Sequence, residues 1–188
     1  MRKNLGTKTI MYPMPVLIIA TYNEDGSVDA MNAAWGGIET DERIGICVSE
    51  SHKTMKNIKR NKSFTVSFGI EKYAKECDYL GLVSGNKVKD KFEKTGFTTQ
   101  KCEFVNAPII NELMLSLECN MVSYDSDSCH LVGDIVNISA DESIIDKDGK
   151  INIKDLGIIT YDPDTHDYIK LGEVVGKAFS IGKPLTKK

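Results

Sequence analysis

Apolar and polar positions alternate along this chain in segments that change period several times. The first clear signal is Val16-Leu17-Ile18-Ile19-Ala20, a short β-branched run followed by Asn23-Glu24-Asp25-Gly26. A run of that kind before a polar, glycine-containing turn predicts a hairpin, with 27–31 as the return strand. Residues 43–49 (Arg43-Ile44-Gly45-Ile46-Cys47-Val48-Ser49) read as a further strand, buried on both faces. The period then switches. Met55 and Ile58 fall three apart while Lys56, Lys59 and Arg60 lie elsewhere, which predicts an amphipathic helix over 53–61 with Ser51 as its N-cap. Residues 63–68 return to strand chemistry.

The middle of the chain is less regular. Ala74, Cys77, Tyr79 and Leu80 form a helical stripe over 73–82, a loop follows at Ser84-Gly85-Asn86, and 89–94 suits a further short helix. Residues 113–123 carry Leu, Leu, Leu, Cys, Met and Ser at odd positions, with Ser116, Glu118 and Asn120 opposite, a strict period of two. A second long strand is expected over 129–138, after a turn at Asp125-Ser126-Asp127. Asp146 to Gly149 is another turn, and the tail beyond Gly182 should fray. Tight turns between strands, with helices inserted rather than alternating, predict a mainly β fold: a closed or partly closed antiparallel barrel with helices packed outside. No repeat or linker divides residues 1–188, so a single domain is expected.

Composition narrows the function classes. The 188 residues are 41% hydrophobic and 27% charged, and 24 Lys plus Arg against 27 Asp plus Glu give a net charge of −3. That balance argues against an extended nucleic-acid surface but leaves room for a small basic pocket. No run is long enough to cross a bilayer. Pro13 and Pro15 break the one apolar stretch that follows Arg2 and Lys3, so a first strand is expected there rather than a signal segment. The five cysteines lack the close pair that a zinc site uses. Reduced, mostly buried thiols in a cytoplasmic protein, without metal, are the expectation.

Familiar nucleotide motifs fail. There is no glycine fingerprint after a strand, and Gly172-Glu173-Val174-Val175-Gly176-Lys177-Ala178 has one residue too few between its glycines for a phosphate loop. His52, His130 and His166 are tied to no nucleophile motif. The better anion site is the strand–helix junction Val48-Ser49-Glu50-Ser51-His52-Lys53-Thr54, where a helix start offers free N–H groups and hydroxyls beside a lysine. The same residues also fit a plainly capped surface helix.

Met14-Pro15-Val16, Asn32-Ala33-Ala34-Trp35, the 49–54 junction leading to Asn57-Ile58, Ser84-Gly85, Lys91-Phe92, the run His130 to Val136 and Tyr168-Ile169-Lys170-Leu171-Gly172 occur in an order that resembles the flavin reductase-like, FMN-binding split-barrel family, nearest its flavoredoxin branch. The resemblance covers about residues 12–182. It implies an antiparallel, Greek-key split β-barrel that binds FMN at a homodimer interface. On the matching positions it implies that Asn32, Ala33, Ala34 and Trp35 run along the flavin ring. Ser49, Ser51, Lys53 and Thr54 would hold the phosphate and ribityl chain, with Ser84, Gly85 and Lys91 closing over the phosphate end. His130 would stand near the flavin and tune its charge, and Tyr168 would approach from the C-terminal segment. No obligatory catalytic acid is implied.

Each of these residues has a plainer reading. Trp35 suits a core tryptophan, His130 a satisfied barrel histidine, Lys91 the solvated face of a charged helix, and Tyr168 a subunit contact. Three functions remain open at this point. They are a reductase using NADH or NADPH, an FMN electron carrier reduced by a partner protein, and a split-barrel protein that binds a ligand without redox chemistry.

Overall fold

A computed structural model describes residues 1–186. In chain order the elements are β1 (Met14–Pro15), β2 (Leu17–Tyr22), β3 (Val28–Ala33), β4 (Gly36–Thr40), β5 (Arg43–Cys47), α1 (Lys53–Asn61), β6 (Ser63–Phe68) and α2 (Ala74–Leu82). They continue with β7 (Thr99–Lys101), β8 (Pro108–Ile110), β9 (Leu115–Asp125), β10 (His130–Ala140), α3 (Ile153–Leu156), β11 (Ile159–Tyr161) and β12 (Tyr168–Lys170). Seven strands form one antiparallel sheet in the order β3-β2-β6-β9-β10-β5-β4. Its two edges, β3 and β4, are joined by Ala34 and Trp35 alone. So short a connection requires the edges to approach, and the sheet curls into a split barrel, mainly β as expected.

β2 explains why its sequence does not alternate. Leu17 and Ile19 pack inside the curl with Phe64, Val66, Leu117, Leu131, Ile44 and Ile46. Val16, Ile18 and Ala20 pack on the opposite face against Cys77 and Leu80 of α2, with Phe92, Phe97 and Ile110. A strand covered on both sides reads as a continuous apolar run. The inner core is completed by Met55 and Ile58 of α1, the stripe that sequence spacing identified. Irregular pairing at Val132/Gly133 and between Ile135 and Asn137 bends β10 against β9. Gly133 permits the bend, because a Cβ there would sit 2.6 Å from Cζ of Phe64.

Two local expectations need correction, the burial of β5 on both faces and a helix over 89–94. β5 is buried on one face only: Ile44 and Ile46 point inward, while Arg43 and Cys47 are exposed. The polar face of β9 is covered at one end. Ser116 and Ser67 hydroxyls pair at 2.7 Å, and buried Glu118 accepts from Asn137 Nδ2 at 2.7 Å and the Phe104 N–H at 3.2 Å. Residues 89–94 do not form a helix. Phe92 and Phe97 both enter the outer core, and the chain between them makes only a single 3₁₀ turn at Glu93–Thr95. Cys77, Cys102 and Cys119 are buried as expected, but Cys47 is exposed and Cys129 half-buried. Lys183–Thr186 forms a 3₁₀ turn, and the rest of the tail expected to fray, residues 187 and 188, lies outside the described residues. No helix among the described residues is long and apolar enough to cross a membrane.

Candidate functional site

Two adjoining crevices lie beside the end of β3. The first, about 420 Å³, is mainly apolar. Its lining comes from the end of β3 and the crossing to β4 (Asn32, Ala33, Ala34, Trp35), from Cys47 and Val48, from Asp78 and Leu82 of α2, and from Tyr161 and Tyr168 of the β11–β12 hairpin. The second, about 270 Å³, is polar and is lined by Ser51, His52, Lys53 and Thr54 at the start of α1 together with Ser84, Gly85 and Lys91. Met31, Asn32, His52, Gly81 and Leu82 line both. Trp35 is 53% exposed, so the core reading of this tryptophan is wrong; the tight crossing between sheet edges carries it outward.

Helix α1 covers the residues its sequence suggests, but its cap falls one residue later than expected. Its N-cap is His52, whose side chain makes no capping bond. Ser51 is drawn away from that role: its N–H donates to Ser49 Oγ at 3.3 Å and the two hydroxyls pair at 2.9 Å. The first backbone N–H groups of the helix therefore have no side-chain cap and face the polar crevice with the positive end of the helix dipole. Asn86 ties the opposing loop to this end, donating from Nδ2 to Ser51 O at 2.9 Å and accepting from Lys56 Nζ at 3.3 Å.

Beneath the crevice lie a largely buried lysine and a buried aspartate. Lys91 is 4% exposed, which overturns the solvated-face reading, and among the described residues its ammonium makes no hydrogen bond or ion pair. Burial lowers its pKa, opposed by the nearby carboxylate of Asp29. Asp29, also 4% exposed, comes from β3 on the same face as Met31. Its Oδ2 accepts the Thr54 hydroxyl at 2.5 Å. Burial raises its pKa, opposed first by that hydrogen bond and then by Lys91, Lys53 and His52. The bond also changes the expected part of Thr54. Its hydroxyl proton is engaged with Asp29, and what it can offer an anion in the crevice is its backbone N–H.

At the apolar crevice, Tyr168 Oη donates to Asp78 Oδ1 at 2.9 Å and lies 3.5 Å from Asn32 Nδ2, which also donates to Cys77 O at 3.0 Å. Burial, and then the Asp78 carboxylate, push the Tyr168 phenol well above its ordinary pKa. These bonds pin the β11–β12 hairpin, a separate small sheet with β1, against α2 and β3.

Of the residues singled out from sequence, Asn32, Ala33, Ala34, Trp35 and Tyr168 meet in the first crevice, and Ser51, Lys53, Thr54, Ser84, Gly85 and Lys91 in the second. Ser49 stands behind Ser51. His130 is not brought to either. It lies at the start of β10 with Nε2 3.5 Å from Glu39 Oε2, directed over Gly45, although its cross-strand neighbour Cys47 does line the cleft. Its side chain is half-exposed, so it is no barrel-interior histidine either. Sequence reasoning missed Asp29, His52, Asp78, Tyr161 and Asn86. An acidic residue two positions before Met31, on the same face of the strand, was the available signal for Asp29.

Residues 9–153 match the family described as "Flavin reductase like domain". The structure is similar to flavoredoxin of Desulfovibrio vulgaris (Miyazaki F), with a TM-score of 0.92 and 31% identity over 97% of this chain and 100% of that one. It is similar to flavoredoxin from Methanosarcina acetivorans, with a TM-score of 0.84 and 30% identity over 98% of both chains. Nitrilotriacetate monooxygenase component B from Bacillus cereus shares the fold, with a TM-score of 0.75 and 21% identity over 89% of this chain and 88% of that one.

Replacing Tyr168 by Phe removes the bond to Asp78 and leaves the ring. We expect the amides of 159–170 to exchange with solvent several-fold faster, for a local loss of about 1 kcal/mol, while β2 and β6 stay protected. Unchanged exchange in the hairpin would mean that the Asp78 bond does not hold it.

Proposed function

The chain belongs to the flavin reductase-like family, in its flavoredoxin branch, and on that premise we propose that it binds FMN and passes electrons from a reduced nicotinamide to an acceptor. The observation that carries this reading is Lys91, a largely buried lysine that lines the polar crevice and makes no hydrogen bond or ion pair among the described residues. A lysine held largely out of water beside two further sources of positive charge, Lys53 and the uncapped start of α1, with one carboxylate near them, favours a further anion in the crevice. Phosphate chemistry supplies it. The adjoining crevice, floored by Asn32, Ala33, Ala34 and Trp35, suits a planar ring system. FMN joins a phosphate to such a ring through a polyol.

In this reading Lys91, Lys53 and the first N–H groups of α1 hold the phosphate. Ser51 and Ser84 offer hydroxyls to the ribityl chain, with Ser49 orienting Ser51, and Gly85 keeps the loop close. Asn32 to Trp35 face the ring, and Tyr168 and Tyr161 wall the cleft. Bound there, the flavin would supply hydride acceptance from NADH or NADPH and the onward release of electrons. Hydride transfer itself asks no side chain for a proton, and none is assigned as a catalytic acid. A homodimer belongs to the same proposal. Trp35 and Ile38 are exposed along and beside the edge strand β4, and Val174, Val175, Phe179, Ile181 and Leu185 are exposed in the C-terminal segment, an apolar surface that a second copy would cover.

Lys91→Met keeps the volume but leaves the buried Asp29 carboxylate without a nearby cation, so stability should fall. FMN binding should weaken about ten- to a hundred-fold, as for the loss of a charge-assisted bond, while riboflavin binding stays as it was. Equal effects on both ligands would remove Lys91 from the phosphate site. Anaerobic mixing of the FMN-loaded protein with NADH or NADPH should bleach the flavin within the time of turnover. A flavin that bleaches only when a reduced partner protein is added would make the chain a carrier instead. Light scattering should give twice the chain mass; a monomer with flavin bound would refute the dimer.

A further inference from the structure

A buried anion lies behind the polar crevice, in the wall of a neighbouring hollow that shares Lys53, Gly85 and Lys91 with it. This is Asp29, with Oδ2 fixed by the Thr54 hydroxyl at 2.5 Å. On its other side Oδ1 lies so close to Gly85 that a Cβ on that glycine would come within 2.3 Å of it. The groups facing this carboxylate from α1 and its approach are Thr54, Lys53 and His52, and from the loop beyond α2, Lys91. Among the described residues neither lysine closes to an ion pair with it. The carboxylate therefore offsets the cations through space without occupying their hydrogen-bonding positions. Those positions stay open to a ligand, which then meets a fixed negative charge behind them.

We propose that Asp29 is a specificity-determining residue, a built-in counter-charge that holds the affinity for a phosphorylated flavin below what Lys53, Lys91 and the helix start would give alone. The proposal rests on the reading of this crevice as the phosphate site. Pinning Thr54 is a separate duty that a neutral acceptor could perform, so a charged residue here has a consequence that a hydrogen-bond acceptor does not. With the counter-charge present, FMN is held about tenfold less tightly than the same cradle would hold it without the charge.

The test compares FMN and riboflavin binding, by flavin fluorescence, in the wild-type protein and in Asp29→Asn. Asparagine keeps an oxygen for the Thr54 hydroxyl and removes the charge. A unit charge a few ångströms from a bound phosphate is worth on the order of tenfold in affinity. FMN should therefore bind about tenfold more tightly and dissociate more slowly, with riboflavin unchanged. Asp29→Ser, which is smaller and also neutral, should act in the same direction and serves if the asparagine variant does not fold. FMN affinity unchanged or weakened in a folded neutral variant, with the wild type still preferring FMN over riboflavin, overturns the role of Asp29 alone. A wild type that binds FMN and riboflavin equally overturns the phosphate site itself.

Discussion

The fold depends on a two-residue connection between strands at opposite edges of a seven-stranded sheet. β3 and β4 are neighbours in sequence and the farthest apart in hydrogen-bonding order, and Ala34 and Trp35 alone span the gap. The sheet must curl until its edges nearly meet. Phe64 under Gly133, the irregular pairing along β10, and the doubly covered β2 are what make that curl stable. The edges do not pair, and the crossing residues floor the apolar crevice, whose other walls come from the end of β5, from α2 and from the β11–β12 hairpin. Trp35 is exposed because a chain crossing between the edges has no inward direction in which to bury a large side chain.

The electrostatics of the second crevice follow from the elements that meet beside β3. α1 fills the inner core with Met55 and Ile58, which fixes its uncapped start beside β3. The loop beyond α2 is tied to that start through Asn86 and delivers Lys91 into a buried position. β3 supplies Asp29 from below. Three elements thus converge on one small volume with a helix dipole, two lysines and one carboxylate. Ligand affinity there is a difference between attraction and repulsion, both set by the backbone.

Much of this is legible in the sequence. Strict alternation around Leu117 and Cys119 marked β9, the spacing of Met55 and Ile58 marked α1, and the order of motifs carried the family and its split barrel. The failures share a cause, which is that local pattern does not report what lies across from a residue. Lys91 sits among Lys87, Lys89, Asp90, Glu93 and Lys94 and reads as solvated, yet Phe92 and Phe97 pull its segment inward. Ser51 is a good cap by type, but Ser49 two residues earlier engages it first. Ser116 and Glu118 look solvent-facing because nothing in their own strand reveals that the chain from 99 to 110 returns over them. His130 carries a family position, but its ring is directed toward Glu39.

The central claim is that one ligand occupies both crevices, its ring against the β3–β4 crossing and its phosphate at the start of α1. A crystal structure of the protein grown with FMN tests it directly. The expected result is phosphate oxygens within hydrogen-bonding distance of Lys91 Nζ and the first N–H groups of α1, with the ring against Asn32 to Trp35. A flavin bound elsewhere, or one whose phosphate points into solvent while Lys91 remains without a partner, would contradict it.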